Sequence, residues 1–408
     1  MNYLDNNNFP VEFPNRFANT QVIGRKQTGK TTLIAEMILD DIYNGAGVAL
    51  FDAYGAAAKL VLDRIPEERW DDVVLIEPHT QRNHPVAYNP FFNIKPEDRS
   101  KLVAGEKYTL KSVWDYIGFP TPTMDDTITN SVAAVLETNE PTLVSLKWFL
   151  TSKKHRDRAL LSVKDKIIKN YWTNEFDSLS KKQQSDDTRS TLTKIRAFTS
   201  DPLTRHILGQ PVSKIDLQEI MDTGKILIVN LPIGQIGLEA TKLLGSLLMA
   251  DLHNAALARS GDPFYCFVDG CNRFAYSTQV EMLDTPASSQ VGYVFTHSFL
   301  DQLEPQLKNA LIGSAGNIVS FATGVLDEEQ LGALFPENQI FSNLFELEQF
   351  DMCLRLHGLE KVVRETLPEL NYPIIRHAAQ NIRNLTQNKY TNQRKDVERA
   401  LARFIKDT

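Results

Sequence analysis

The sequence predicts an α/β fold with a mostly parallel sheet and an all-α insertion, on three observations. Short, partly β-branched strands alternate with helical stretches from residue 19 to about 95. Between 96 and 214 the strand signal fades and helical patterns dominate. From 215 to about 380 the alternation resumes. Strands and helices in alternation build a parallel sheet covered on both faces. The expected organisation is a lead-in over 1–18, a first core part over 19–95, an all-α insertion over 96–214, a second core part over 215–380 and a basic tail over 381–408.

Each element follows from local pattern. Thr20-Gln21-Val22-Ile23 reads as a strand, and Leu33/Met37 with Ile34/Ile38/Ile42 place a helix after it. Gly47 to Asp52 is a buried-type strand ending in an acid, followed by a turn, a helix from Ala56 to Ile65 and a strand over Asp72 to Ile76. In the insertion, helices are expected over Ser131–Leu136, Thr142–Leu150 and Ser162–Trp172, with polar Ser180–Thr188 as an exposed loop. Beyond it come a strand over Gly224–Pro232, a long helix from Leu238 to Arg259, the strand Phe264–Asp269 and strands over Val291–Thr296 and Asn317–Ala322. A closing helix spans Arg394–Ile405. No fixed-period repeat is present.

Bulk properties narrow the classes. A chain of 408 residues has room for two or three domains. Its net charge of −7 means that any nucleic-acid contact must come from local basic patches. One candidate is 153–169, with seven Lys/Arg against two acids; a solvated helix face is the first reading and phosphate contact the alternative. Cys266, Cys271 and Cys353 lack metal-type spacing and read as buried thiols of a reducing compartment. His79, His84 and His297 show no ligand spacing and read as structural. No apolar run approaches the ~18–20 residues of a membrane helix, and no signal peptide is evident, so a soluble cytoplasmic chain is expected.

The chemistry-bearing stretch is Gly24-Arg25-Lys26-Gln27-Thr28-Gly29-Lys30-Thr31, which fits G-x-x-x-x-G-K-[ST] without mismatch, in the strand–loop–helix context the pattern needs. Its amides, with Thr32 opening the helix, point to binding of a triphosphate such as ATP. Lys30 is expected at the β/γ-phosphates and the Thr31 hydroxyl on Mg2+. Asp269, ending an apolar strand, has the form of the second Mg2+ ligand. The next residue is Gly270, so the position from which a glutamate polarises the attacking water has no side chain. A GTPase base reader of N-K-x-D type is not met, since Asn388-Lys389 precedes Tyr390-Thr391.

The ordered landmarks resemble the FtsK/HerA superfamily of hexameric DNA-pumping ATPases, nearest the cytosolic part of type IV secretion coupling proteins (TraG/TraD-like), over about residues 17–400. They are the P-loop, Leu50-Phe51-Asp52-Ala53-Tyr54-Gly55, Asp72 to Ile76, Tyr88-Asn89-Pro90, Gly224 to Leu231, Ala255 to Arg259 and Val268-Asp269. The resemblance implies a RecA-like P-loop NTPase core, an all-α domain at the ring entrance, DNA as partner and a homo-oligomeric, hexameric ring. It also implies a role in secretion, packaging or defence, and an arginine finger from a neighbour, for which Arg259 and Arg205 are candidates. The chain departs from the family at Tyr54 and Ala56 (usually His and Asp), at Gly270 (Glu) and at Ser298 (Gln), and the family's membrane anchor is not evident. A hydrolysis-poor ATP-binding ring or switch subunit, working with a partner ATPase or effector, is the alternative that these departures imply.

Overall fold

The computed structural model describes residues 13–92, 122–335, 344–359 and 362–406. Residues 1–12 of the expected lead-in, 93–95 at the end of the expected first core part and 96–121 at the start of the expected insertion lie outside them. The chain divides into two compact units, Met1–Glu77 with Leu217–Thr386 and Pro78–Asp216 with Gln387–Thr408.

The first unit is organised on a nine-stranded sheet of order β3-β4-β2-β5-β6-β1-β7-β8-β9. Its strands are β1 (Thr20–Ile23), β2 (Gly47–Asp52), β3 (Val73–Ile76), β4 (Ile226–Asn230), β5 (Phe264–Asp269), β6 (Val291–His297), β7 (Asn317–Ser320), β8 (Asp351–Arg355) and β9 (Val363–Thr366). The first seven run parallel, and β8 and β9 add an antiparallel edge. Every residue of β1 to β4 is buried, which is why these strands read as apolar runs without alternation. Helices α1 (Lys30–Tyr43) and α2 (Ala56–Leu62) pack on one face, burying Leu33, Ile34, Ile38, Val61 and Leu62 against Val48, Leu50, Ile226 and Ile228. Parallel strands end together, so the carboxyl termini of β1, β2, β4, β5 and β6 share one edge, where open α/β sheets hold ligands.

The second unit is helical among its described residues, with helices at Pro122–Leu136, Leu143–Thr151, Lys153–Leu160, Lys166–Asn170, Lys181–Ser200, Pro202–Leu208 and Arg394–Lys406. Its aromatic centre is Trp172, edge-on to Phe149 and Phe176, with its indole donating to the Asn130 carbonyl. Arg156 of the basic run is buried there, stacked near Trp172 and Phe176 and bonded to Asp177. Lys153 pairs with Asp157 and Asp177, whereas Lys154, Lys164, Lys166 and Lys169 are exposed.

Several expectations change. Ser180–Thr188 is not a loop: Ser180 and Gln183 form a reciprocal capping box that starts the helix Lys181–Ser200. The expected helix over Ser162–Trp172 is shorter, beginning at Lys166 behind an Asp165 cap and running into a π-turn at Tyr171–Phe176. The expected closing helix is present over Arg394–Lys406, and its Val397 and Leu401 pack with Val144 and Trp148. Strands β8 and β9 were not expected from the sequence, and neither was the helix Ala378–Tyr390. No helix among the described residues is long and apolar enough to cross a membrane.

One buried ion pair braces the sheet. Arg16 grips Asp41 of α1 with both terminal nitrogens and lies 3.7 Å over the Tyr265 ring of β5. Burial pushes the Asp41 carboxyl up to about 6 even against Arg16. Truncating one partner leaves the other charge uncompensated, so Arg16→Ala is expected to lose about 3–5 kcal/mol of stability at pH 8. Protonating Asp41 removes that charge, and the native carboxyl takes its proton before the unfolded one does, so the deficit should shrink as pH falls through about 6. Urea unfolding of both proteins at pH 8 and pH 5 measures this; a deficit that does not change with pH would contradict it.

Candidate nucleotide-binding site

At the end of β1 the chain turns through Gly24 to Gly29 and enters α1. Gly29 has φ +126°, a conformation that disfavours any side chain, and a Cβ there would lie 2.9 Å from the Phe321 ring and 3.0 Å from Phe350. A Cβ on Gly24 would lie 2.7 Å from Phe321 Cβ. The loop is thus seated on Phe321 at the end of β7 and on Phe350, whose amide donates to the Thr28 carbonyl at 2.9 Å. Thr28 Oγ1 closes it by donating to the Arg25 carbonyl at 2.8 Å. Arg25, Lys26 and Gln27 are exposed; Thr28 and Gly29 are buried; Lys30, Thr31 and Thr32 are half-buried. No side chain caps α1, so its first turn presents backbone amides and a positive dipole end above the loop. This is a cradle fitted to an anion.

The Lys30 ammonium folds onto the loop, donating to the carbonyls of Gly24 and Arg25. Burial pulls it down to about 8, and the Asp269 charge opposes that shift. Asp269 ends β5, two strands from β1, and accepts from the Thr296 hydroxyl at 2.5 Å. Burial and the neighbouring Asp52 push Asp269 up to about 6, with Thr296 and Lys30 holding it down. Thr31, Lys30 and Asp269 are the residues of the described site whose chemistry fits a Mg2+-triphosphate: a hydroxyl, a cation and a carboxylate beside uncapped amides.

Asp52, the Cα partner of Asp269 across β2 and β5, has another task. Its carboxylate accepts the amides of Tyr54 and Gly55, both at 2.7 Å, and of Ala58 at 2.9 Å, locking the turn into α2. Burial pushes its pKa up and the amide donors hold it down. Tyr54, carried on that turn, lies over Gly270. Gly270 has φ +77°, and a Cβ there would come within 2.5 Å of the Tyr54 ring. His297 is buried and neutral, pulled down to about 3, with its ring nitrogens facing Gln21 at 2.8 Å and the Phe299 carbonyl at 3.3 Å. Ser298 and Phe299 open onto a cleft of about 460 Å³ beside Arg25 and Lys26, where Phe299, Val325 and Leu326 are exposed.

Arg259 is not brought to the site. It precedes β5, at the opposite end of the strand from Asp269, and its guanidinium is buried against Asp222 and the carbonyls of Ser289, Met221 and Asp262. With a side chain 1% exposed it cannot reach into a neighbour. Arg205 is half-buried and spends its guanidinium on the carbonyls of Thr199 and Ser200. The sequence did not place Thr296 beside Asp269, nor Tyr54 and Arg273 beside Gly270. Tyr54 stood out as a departure from the family pattern and Thr296 as the end of an apolar strand; Arg273 left no signal.

No family model matches the chain, and no curated protein does. Solved structures of the same fold do. One is the plasmid coupling protein TrwB in complex with the non-hydrolysable ATP analogue ADPNP (TM-score 0.65, 15% identity, 88% of this chain and 87% of that one). TrwB in complex with ADP and Mg2+ superposes similarly (TM-score 0.65, 14% identity, 89% and 88%). VirB4 of Thermoanaerobacter pseudethanolicus follows (TM-score 0.57, 12% identity, 87% and 90%). The RecA-like fold class expected from the sequence is the one these chains share, and the resemblance to coupling proteins holds at the level of the fold.

The two adjacent acids should respond oppositely to neutralisation. Asp269→Asn removes a charge whose native pKa of about 6 lies above the unfolded value of 3.8, and it keeps an oxygen for Thr296. It is expected to stabilise the protein by about 1–3 kcal/mol above pH 6, a gain that fades toward pH 4. Asp52→Asn should destabilise, because one end of its amide must face a backbone N–H. Thermal unfolding at pH 7.5 and pH 4.5 reads both; a destabilised Asp269→Asn at pH 7.5 would contradict the assignment.

Proposed function

We propose that this chain is an ATP-binding subunit of a ring-forming, DNA-translocating machine of the FtsK/HerA type, with slow hydrolysis. The observation that carries the reading is the convergence of the uncapped P-loop, Lys30 and Asp269 at the carboxyl edge of a sheet whose fold is that of TrwB, a coupling protein solved with ADPNP and with ADP and Mg2+. In this reading the loop amides from Lys26 to Thr32 cradle the phosphates, that of Arg25 being held by the Ala322 carbonyl, and Lys30 leaves the loop carbonyls for the β/γ oxygens. Thr31 and Asp269 would hold Mg2+, which supplies charge neutralisation between the β- and γ-phosphates.

The exposed Phe299, Val325 and Leu326 beside the loop support a neighbouring copy that covers this edge, as a homo-oligomeric, hexameric ring requires. Lys154, Lys164, Lys166 and Lys169 are the exposed cations best suited to DNA phosphates, gripping backbone without reading bases. Three buried free cysteines support a reducing, cytoplasmic setting for work in secretion, packaging or defence.

A second reading, a hydrolysis-deficient ATP-dependent switch acting with a partner ATPase or effector, is favoured by Tyr54 over Gly270. No carboxylate starts from position 270, and its approach is filled by an aromatic ring, so water positioning loses its usual base. Introducing Gly270→Glu alone would collide with that ring.

Steady-state ATP turnover with and without single- and double-stranded DNA, together with solution mass with ATP, tests the reading. Turnover below about 1 s⁻¹, raised by DNA, with an ATP-dependent ring is the expected result. Binding without turnover selects the switch, and a chain that stays monomeric with ATP and DNA contradicts the motor.

A further inference from the structure

We propose that the helical unit carries a ligand site of its own, a cavity that takes a small organic anion with its apolar body inside and its phosphate or carboxylate head on Arg82, Arg394 and His206. The inference is independent of the reading of the P-loop as an ATP site.

The cavity measures about 250 Å³, and every residue that lines it belongs to the second unit. Pro85, Val86, Leu203 and Ile207 give it an apolar wall. Three basic side chains, Arg82, His206 and Arg394, line it as well. Pairing of two chain segments brings the arginines together. The Arg394 amide donates to the Asn83 carbonyl at 2.9 Å and the Asn392 amide to that of Pro85 at 3.2 Å, while Val86 forms an antiparallel bridge with Thr391. Arg82 and Arg394 therefore leave adjacent, hydrogen-bonded segments beside one cavity.

What these groups are bonded to decides what the cavity suits. The His206 side chain is 8% exposed, and among the described residues neither ring nitrogen makes a hydrogen bond; Glu398 Oε1 lies 3.6 Å from Nε2. Burial pulls its pKa below the usual histidine value, with Glu398 opposing and Arg394 adding to the shift. The ring is thus neutral at pH 7 and offers one donor and one acceptor. The Arg82 guanidinium is exposed and makes no hydrogen bond or ion pair among the described residues. Arg394 gives Nε to Glu398 at 2.7 Å and keeps its terminal nitrogens. The acids nearby are committed, Glu398 to Arg394 and Asp201 to the Leu203 amide at 3.1 Å. Uncommitted donors therefore outnumber acceptors around an apolar hollow. Guanidinium forks hold phosphate and carboxylate oxygens by parallel hydrogen bonds. A buried imidazole without a partner is unfavourable, so a ligand group that reaches it gains more than one bound at the surface. Apolar walls with a few convergent polar groups select a molecule that has an apolar body and one charged end.

Ligand-observed NMR titration of the full chain with phenyl phosphate, benzoate, inorganic phosphate and benzyl alcohol tests this. One of the first two is expected to bind at a single site per chain, and the tighter of them identifies the head group. It should bind at least about 5-fold more tightly than inorganic phosphate, which leaves the apolar wall uncovered, or benzyl alcohol, which leaves Arg82 unanswered. Arg82→Ala, at an exposed position without a partner to lose, should weaken it about 10-fold. Arg82→Lys should weaken it less, because lysine keeps the charge without the fork. His206→Gln, which keeps a donor and an acceptor, should retain more binding than His206→Leu. No saturation by either anion below about 10 mM, equal binding of benzyl alcohol, or binding that Arg82→Ala leaves unchanged would overturn the inference. So would displacement of phenyl phosphate by a single-stranded oligonucleotide at a lower phosphate concentration, which would make Arg82 part of a nucleic-acid surface.

Discussion

Two carboxylates buried side by side at the ends of β2 and β5 set the terms for everything around them. Asp52 and Asp269 are Cα partners across a parallel pair, both almost wholly out of water. Like charges in such a place are tolerated only where donors or cations offset them. Asp52 is answered by three backbone amides, which turns it into the anchor of the α2 turn. Asp269 receives one hydroxyl and the field of Lys30, less than a buried carboxylate needs. The difference in donor supply, not in residue type, assigns one acid to architecture and leaves the other with demand for a cation.

How much of this was legible follows from where the information resides. The P-loop was readable because a fixed spacing encodes a backbone shape: Gly29 at φ +126° and an uncapped helix start are consequences of residues in one short window. The parallel strands were readable because burial on both faces leaves unbroken apolar runs. The edge pair β8 and β9 was not, since β8 buries Met352 to Leu354 as one short block and β9 alternates half-buried with exposed positions but puts Glu365 on the half-buried face. The helix starting at Lys181 could have been found: Ser180-Lys181-Lys182-Gln183 is a capping box written in the sequence, overlooked because the stretch is polar. Arg259 and Tyr54 could not, because their partners lie tens or hundreds of residues away.

Two departures from the resembling family that look independent in sequence are one event in space. Tyr54 and Gly270 are 216 positions apart, yet the ring of the first fills the volume of a side chain on the second. A residue larger than glycine at 270 and an aromatic at 54 exclude each other unless one moves. The positive φ at Gly270 adds a backbone reason to the steric one. Restoring a glutamate would therefore require the half-exposed Tyr54 ring to swing aside or a smaller residue at 54. Tyr54 and Gly270 thus fit each other as a pair, while Gly24 to Thr31 keep the full loop pattern.

The central claim is that loop amides, Lys30 and Asp269 together hold a Mg2+-triphosphate. The most direct measurement is equilibrium binding of radiolabelled ATP to the full chain in Mg2+, beside Lys30→Ala. The account requires about one ATP per chain and an affinity lower by about 100-fold in the variant, the scale of a lost charge-assisted phosphate contact. Binding no higher than background, or binding that Lys30→Ala leaves unchanged, would contradict it.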